Sequence, residues 1–155
     1  MTDEVRPPAI GAGDFIWSNF PKREAPGVPS NEQHIALCLR RYKHKTDGYI
    51  LAAVYTTTRP RGDRPKAKGE IEISKEQAAQ LGQNSAFRID VRRIAAMPLN
   101  TDFFPYLDEK GHGVRGNSKH LAEAALKLLA EIVKNDPELV EFLGPPEVRK
   151  SIFGR

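Results

Sequence analysis

Two segments, His34 to Tyr42 and Gly48 to Thr58, limit the folds open to this chain more than anything else in its sequence. They read HIALCLRRY and GYILAAVYTTT, so apolar residues follow one another with no stripe of helical period. Runs of this length rich in Ile, Val, Tyr and Thr are strands. Their nearly continuous apolar character calls for burial on both faces, or for the inside of a closed barrel. With 155 residues the chain is long enough to build such a core in one domain.

The neighbouring segments extend the pattern. Asp14 to Phe20 (DFIWSNF) is a first strand, stopped by Pro21, and Pro21 to Gln33 is a Pro- and Gly-containing loop. Arg59 to Lys68 (RPRGDRPKAK) is an exposed basic loop, and Glu70 to Ile73 is a short alternating strand. Ser74 with Gln77 fits a capping box, opening a brief helix that Gly82 stops. Ser85 to Val91 and Arg93 to Leu99 are two further strands. After Asn117 and Ser118, either of which can cap, Leu121, Ala124, Ala125, Leu128, Leu129, Ile132 and Val133 fall on one helical face. That face must pack on the sheet or on a twin subunit. Asn135-Asp136-Pro137 restarts a short helix over 138–143, and Pro145-Pro146 then breaks the chain.

The expected fold class is therefore β-rich α+β: a small SH3-like barrel with a short inserted helix and an amphipathic C-terminal helix. Its expected parts are a flexible leader (1–12), the barrel (13–108), a Gly-rich linker (109–116), C-terminal helices on the barrel or a dimer partner (117–143) and a basic tail (144–155).

The formal net charge of +4 tilts the chain toward a polyanionic partner, although Lys and Arg also serve solubility. The single cysteine, Cys38, lies in an apolar run and reads as a small buried hydrophobe, not a nucleophile. The sequence holds no apolar stretch of bilayer-crossing length and no signal-peptide core, so a cytoplasmic location without membrane contact is expected. A Walker loop, a GxGxxG after a strand, an HExxH and zinc-spaced Cys/His clusters are all missing, so neither cofactor nor metal is expected. The chemistry-bearing residues that remain stand at strand ends and in loops. Thr56, Thr57 and Thr58 close the third strand, where β-propensity alone also favours threonine. Arg59, Arg61, Arg64 and Lys66 follow in the basic loop, placed either to clamp phosphate or simply to face solvent. His34 opens a strand directly after a long loop, where an imidazole can move protons near neutral pH.

Read in order, these segments resemble the PemK/MazF-like toxins of bacterial toxin–antitoxin systems. Gly13-Asp14-Phe15-Ile16-Trp17, followed by Phe20-Pro21, is similar to that family's opening strand. His34 to Leu39 resembles its Arg-Pro-Ala-Leu-Val-Leu strand, and Ile50 to Thr58 the strand that ends in paired hydroxyl residues. Glu70 to Ile73, the small helix, Gly82, Asn84-Ser85 and Arg88-Ile89-Asp90 resemble its later strands, so the likeness runs over about 11–105.

The resemblance implies a dimeric SH3-like barrel acting as a metal-independent endoribonuclease on single-stranded RNA, held in check by a cognate antitoxin. It implies an Arg at the second strand and a Thr at the end of the third acting at the scissile phosphate. The Thr corresponds to Thr56 or Thr57. The family's Arg-Pro is replaced here by His34-Ile35, so His34 becomes the candidate proton-transfer group. Arg40, Arg41, Arg59 and Arg61 become the candidates for the missing charge, and Arg40, Arg59, Arg61, Arg64 and Lys66 the candidates for holding the RNA phosphates. The same departure leaves open a barrel that binds nucleic acid, or a protein target, and cuts nothing.

Overall fold

The computed structural model describes residues 8–44, 48–60 and 62–153. Seven strands form one sheet: β1 (Asp14–Ser18), β2 (His34–His44), β3 (Gly48–Thr57), β4 (Glu70–Ile73), β5 (Phe87–Pro98), β6 (Val114–Asn117) and β7 (Glu141–Leu143). The helices are α1 (Lys75–Gln80), α2 (Lys119–Asn135) and α3 (Pro146–Phe153). The strand order is β4-β5-β3-β2-β1-β6, antiparallel throughout, and β7 joins β5 in parallel beyond the end of β4. The β-rich α+β class is as the sequence indicates.

Both long apolar strands are buried on both faces. Leu37, Leu39, Ala52 and Val54 belong to one core, together with Phe15, Ile89, Ile94 and the inner face of α2. Their alternates Ala36, Cys38, Leu51 and Ala53 belong to a second, with Met97 and the loop residues Phe103, Phe104 and Leu107. Cys38 has no exposed surface, and burial pushes its thiol up to about 12. The apolar runs thus reflect a sheet sandwiched between a helix and a loop.

The sheet is not closed by backbone pairing, because no ladder joins its outer strands β4 and β6. It is nevertheless curled. Phe15 on β1 meets Phe87 on β5 edge-to-face at 5.5 Å, although β3 and β2 lie between those strands in the ladder. The gap between β4 and β6 is bridged by the turn after α1, where Gln83 Nε2 donates to the Arg115 carbonyl at 3.0 Å. Here Gly116 has φ +112°, and a Cβ on it would lie 2.3 Å from the Leu81 carbonyl oxygen. Only glycine allows that approach.

Several boundaries differ from expectation. The two strands expected over 85–99 are a single strand, β5, which skips Val91 to Arg93 between the pairs Tyr55–Asp90 and Val54–Ile94. A bulge of this kind bends the strand and increases its twist, which is how one strand serves both halves of a curled sheet. The expected linker 109–116 ends in β6, because Val114 pairs Ile16 on the edge of β1. The helix expected over 138–143 is one 3-10 turn, Pro137–Leu139, followed by β7. The open edge of β5 supplies partners that a second helix would have left unpaired. The basic tail contains α3, with Val148 buried against Ile50 and Ala96.

α2 is capped by Ser118, whose Oγ accepts from the Leu121 amide at 3.1 Å. Its fully buried residues are Ala122, Ala125, Leu129 and Ile132, slightly rotated from the face read in the sequence, and they pack on this chain's own sheet. The capping box of α1 forms as expected. Among the described residues, no helix is long and apolar enough to cross a membrane.

Candidate functional site

The Gly-Asp opening of β1, the most specific element of the sequence pattern, is a structural joint. Asp14 Oδ2 accepts from the Gly11 amide at 2.9 Å, and Oδ1 accepts from Asn117 Nδ2 at 2.8 Å. Gly13, at φ +94°, donates its N–H to Cys38 and accepts from Ser118 at the start of α2. These bonds tie β1, β2 and the α2 N-terminus together, and they leave reaction chemistry to other residues.

The polar cluster that emerges is built around His34. The start of β2 is fixed from both sides: Ser18 Oγ donates to the His34 carbonyl at 2.8 Å, and Thr56 Oγ1 donates to the Ile35 carbonyl. His34 Nε2 lies 3.4 Å from the Tyr55 hydroxyl, with the ring centroids 4.7 Å apart, and 3.9 Å from a Glu32 carboxylate oxygen. Its side chain keeps 26% of its surface exposed, enough for a ligand to reach it. Tyr55 is also edge-on to Phe20 at 5.4 Å and carries the Arg93 guanidinium over its ring at 4.2 Å.

Arg93 enters this site because of the bulge in β5. It points to the same sheet face as Ala95 and Met97, and therefore toward Tyr55 and His34, while its neighbour Arg92 pairs with Asp90 and Glu70. Among the described residues no carboxylate lies within ion-pair distance of Arg93, and its Nε is buried without a hydrogen-bond partner. Aromatic faces hold this cation, and Glu141, its register partner on β7, is the nearest acidic residue in the ladder.

The surroundings set the protonation state of His34. Burial depresses its pKa below 6.5, and the Arg93 and Arg59 cations depress it further. Glu32 and a hydrogen bond to the Thr56 backbone act in the opposite direction without prevailing. At neutral pH the imidazole is therefore neutral, the form that accepts a proton.

The residues anticipated from sequence are distributed unevenly. Thr56 is 4% exposed and its hydroxyl is engaged by Ile35, so it positions the strand carrying His34. Thr57 Oγ1 accepts from the Arg59 amide at 3.1 Å, and both residues line an open cleft of about 540 Å3 with Arg88, Ser74, Gln77 and Phe87. Arg59 lies close enough to act on His34, whereas Arg64 and Lys66 lie further along the exposed loop. Arg61 falls outside the described residues. Arg40 does not join the cluster: six residues along β2, at about 3.3 Å each, it stands roughly 20 Å from His34.

Tyr55, Arg93, Phe20 and Glu32 are site residues that the sequence reading missed. Tyr55 is concealed in an apolar run and Arg93 in an Arg-Arg pair whose members face different partners. A polar-tipped aromatic sharing a strand face with Leu51 and Ala53 was the one available signal. No protein-family model, curated protein or solved structure matches this chain.

Proposed function

We propose that this chain is a metal-independent endoribonuclease of the PemK/MazF-like toxin type, cleaving single-stranded RNA. The observation that carries the reading is the grouping of a neutral, partly exposed His34 with the Tyr55 hydroxyl and the Arg93 cation stacked on the Tyr55 ring. RNA supplies its own nucleophile, so a protein needs only to move two protons and stabilise charge on phosphorus. His34 Nε2 takes the 2′-OH proton as the 2′-oxygen bonds to phosphorus. Arg93, with Arg59 at the strand end, balances the charge that builds on the phosphoryl oxygens. The bond to the 5′-oxygen breaks, and Tyr55 or water protonates the leaving oxygen. The products are a 2′,3′-cyclic phosphate and a 5′-hydroxyl end. In this scheme Arg93 supplies, from β5, the cation that the family carries on its second strand.

The same reading takes the curled sheet as an SH3-like barrel and assigns the protein a homodimeric state, a cognate antitoxin and a cytoplasmic location. The test is incubation of the purified protein with long single-stranded RNA in EDTA. Discrete fragments with cyclic phosphate ends are expected. His34→Ala should lower the rate by about 10²–10⁴-fold, and Arg93→Gln by about 10²–10³-fold, with circular dichroism unchanged. Intact RNA after incubation with folded protein overturns the enzyme reading. Salt-sensitive RNA binding in that case identifies a silent binding module, consistent with the inward commitment of the Thr56 hydroxyl.

A further inference from the structure

A second cavity lies on the opposite side of the sheet from His34. It is a half-open groove of about 710 Å3, within the range of small-molecule sites, between the sheet, α2 and α3. Ala52 and Ile94 form its floor, Leu129 and Val133 of α2 one wall, and Phe153 of α3 another. The small side chain of Ala52 leaves room that a larger strand residue would fill. Two cations, Arg40 and Lys134, are the charged residues of an otherwise apolar lining. Both are exposed, and among the described residues neither has an ion-pair or hydrogen-bond partner. Tyr42 lies on the same side of β2 as Arg40 and, like Ile152 of the cavity lining, packs against the cluster of Ile50, Ala96 and Val148; its hydroxyl is buried without a partner.

A half-open apolar groove with two unpaired cations among its lining is complementary to one kind of molecule: an apolar chain ending in an anion. Walls on three sides suit a slender chain better than a folded surface. We infer that this cavity binds a single-chain aliphatic carboxylate, its tail between α2, α3 and the sheet and its headgroup between Arg40 and Lys134. The inference does not depend on the ribonuclease reading, because its readout is binding.

The test is calorimetric titration of the full-length protein with dodecanoate below its micelle concentration, with dodecanol and dodecylamine alongside. Saturable one-to-one binding of dodecanoate is expected, with dodecanol about tenfold weaker, since charge-assisted contacts to the headgroup are lost. The double variant Arg40→Ala/Lys134→Ala should remove the preference for the carboxylate. Ala130 is exposed on α2 and lines the cavity, so Ala130→Phe should block dodecanoate binding while leaving the melting temperature unchanged. Dodecanoate binding that survives Ala130→Phe places the ligand elsewhere and overturns the assignment. Equal affinity for dodecylamine shows that apolar area alone recruits the chain, and overturns the role of the cations. No saturable binding by the folded wild type overturns the site altogether.

Discussion

His34 sits between opposing electrostatic influences, and their balance is measurable. Burial and two arginines hold its pKa below 6.5, while Glu32 pulls upward. If His34 accepts the 2′-OH proton, cleavage falls on the acid side as the imidazole becomes protonated, and the midpoint of that limb reports its pKa. Arg93→Gln removes a neighbouring positive charge, which raises the His34 pKa and moves the limb to higher pH. Glu32→Gln removes a negative charge and moves it to lower pH. Rate profiles between pH 4 and 8, with the His34 ring followed by NMR in the same variants, check both directions. Shifts of the same sign in the two variants would remove the electrostatic account of the site. Thr56 belongs to a different class of residue: its hydroxyl and the Ile35 carbonyl satisfy each other, so it acts on chemistry only through the position of β2.

Among the elements, the junction of α1 with β6 decides whether the sheet stays curled. Gln83 bridges the gap with a side-chain bond, and Gly116 lets the two backbones approach. Gly116→Ala sets a methyl group against the Leu81 carbonyl at a φ that disfavours any Cβ. It should therefore cost on the order of 1–3 kcal/mol or more. Gly27→Ala is the control, because a Cβ there meets nothing within 4 Å and the residue is exposed. Urea unfolding of both variants checks the prediction, and equal midpoints would show that the junction contributes nothing. The bulge in β5 has a comparable role for the site. Arg93 is the last of the three residues that β5 skips opposite β3, so the bulge itself carries the cation that lies over the Tyr55 ring.

For the whole molecule, the depressed pKa of His34 links folding to pH. The unfolded chain takes a proton on this residue near 6.5, whereas the folded protein resists it until lower pH. Stability is therefore full above about 6.5 and declines as pH falls toward the folded value, below which the loss is complete. His34→Gln should flatten that part of the profile. Thermal melts of wild type and variant from pH 7.5 to 4.5 should converge or cross as acid is added, the wild type losing more. A constant difference between them would mean that His34 has the same pKa folded and unfolded.

The sequence by itself determined the secondary elements that rest on local physics. The apolar runs at 34–42 and 48–58 required strands covered on both faces, Ser74 and Gln77 required a capped helix, and the stripe from Leu121 to Val133 required a helix with one buried side. His34 stood out as a lone proton carrier at a strand start for the same local reason. Tertiary structure decided everything that depends on register and on the path of the sheet. It merged two strands into one bent β5, turned 141–143 into a strand because β5 had an edge to fill, and put Arg40 on the sheet face opposite His34. It also laid Arg93, from a distant strand, over the ring of Tyr55. Helical and strand periods depend on neighbours in sequence and can be read there. A bulge, a ladder offset or a side chain laid across a distant ring depends on which strands meet, and that is settled only when the sheet assembles.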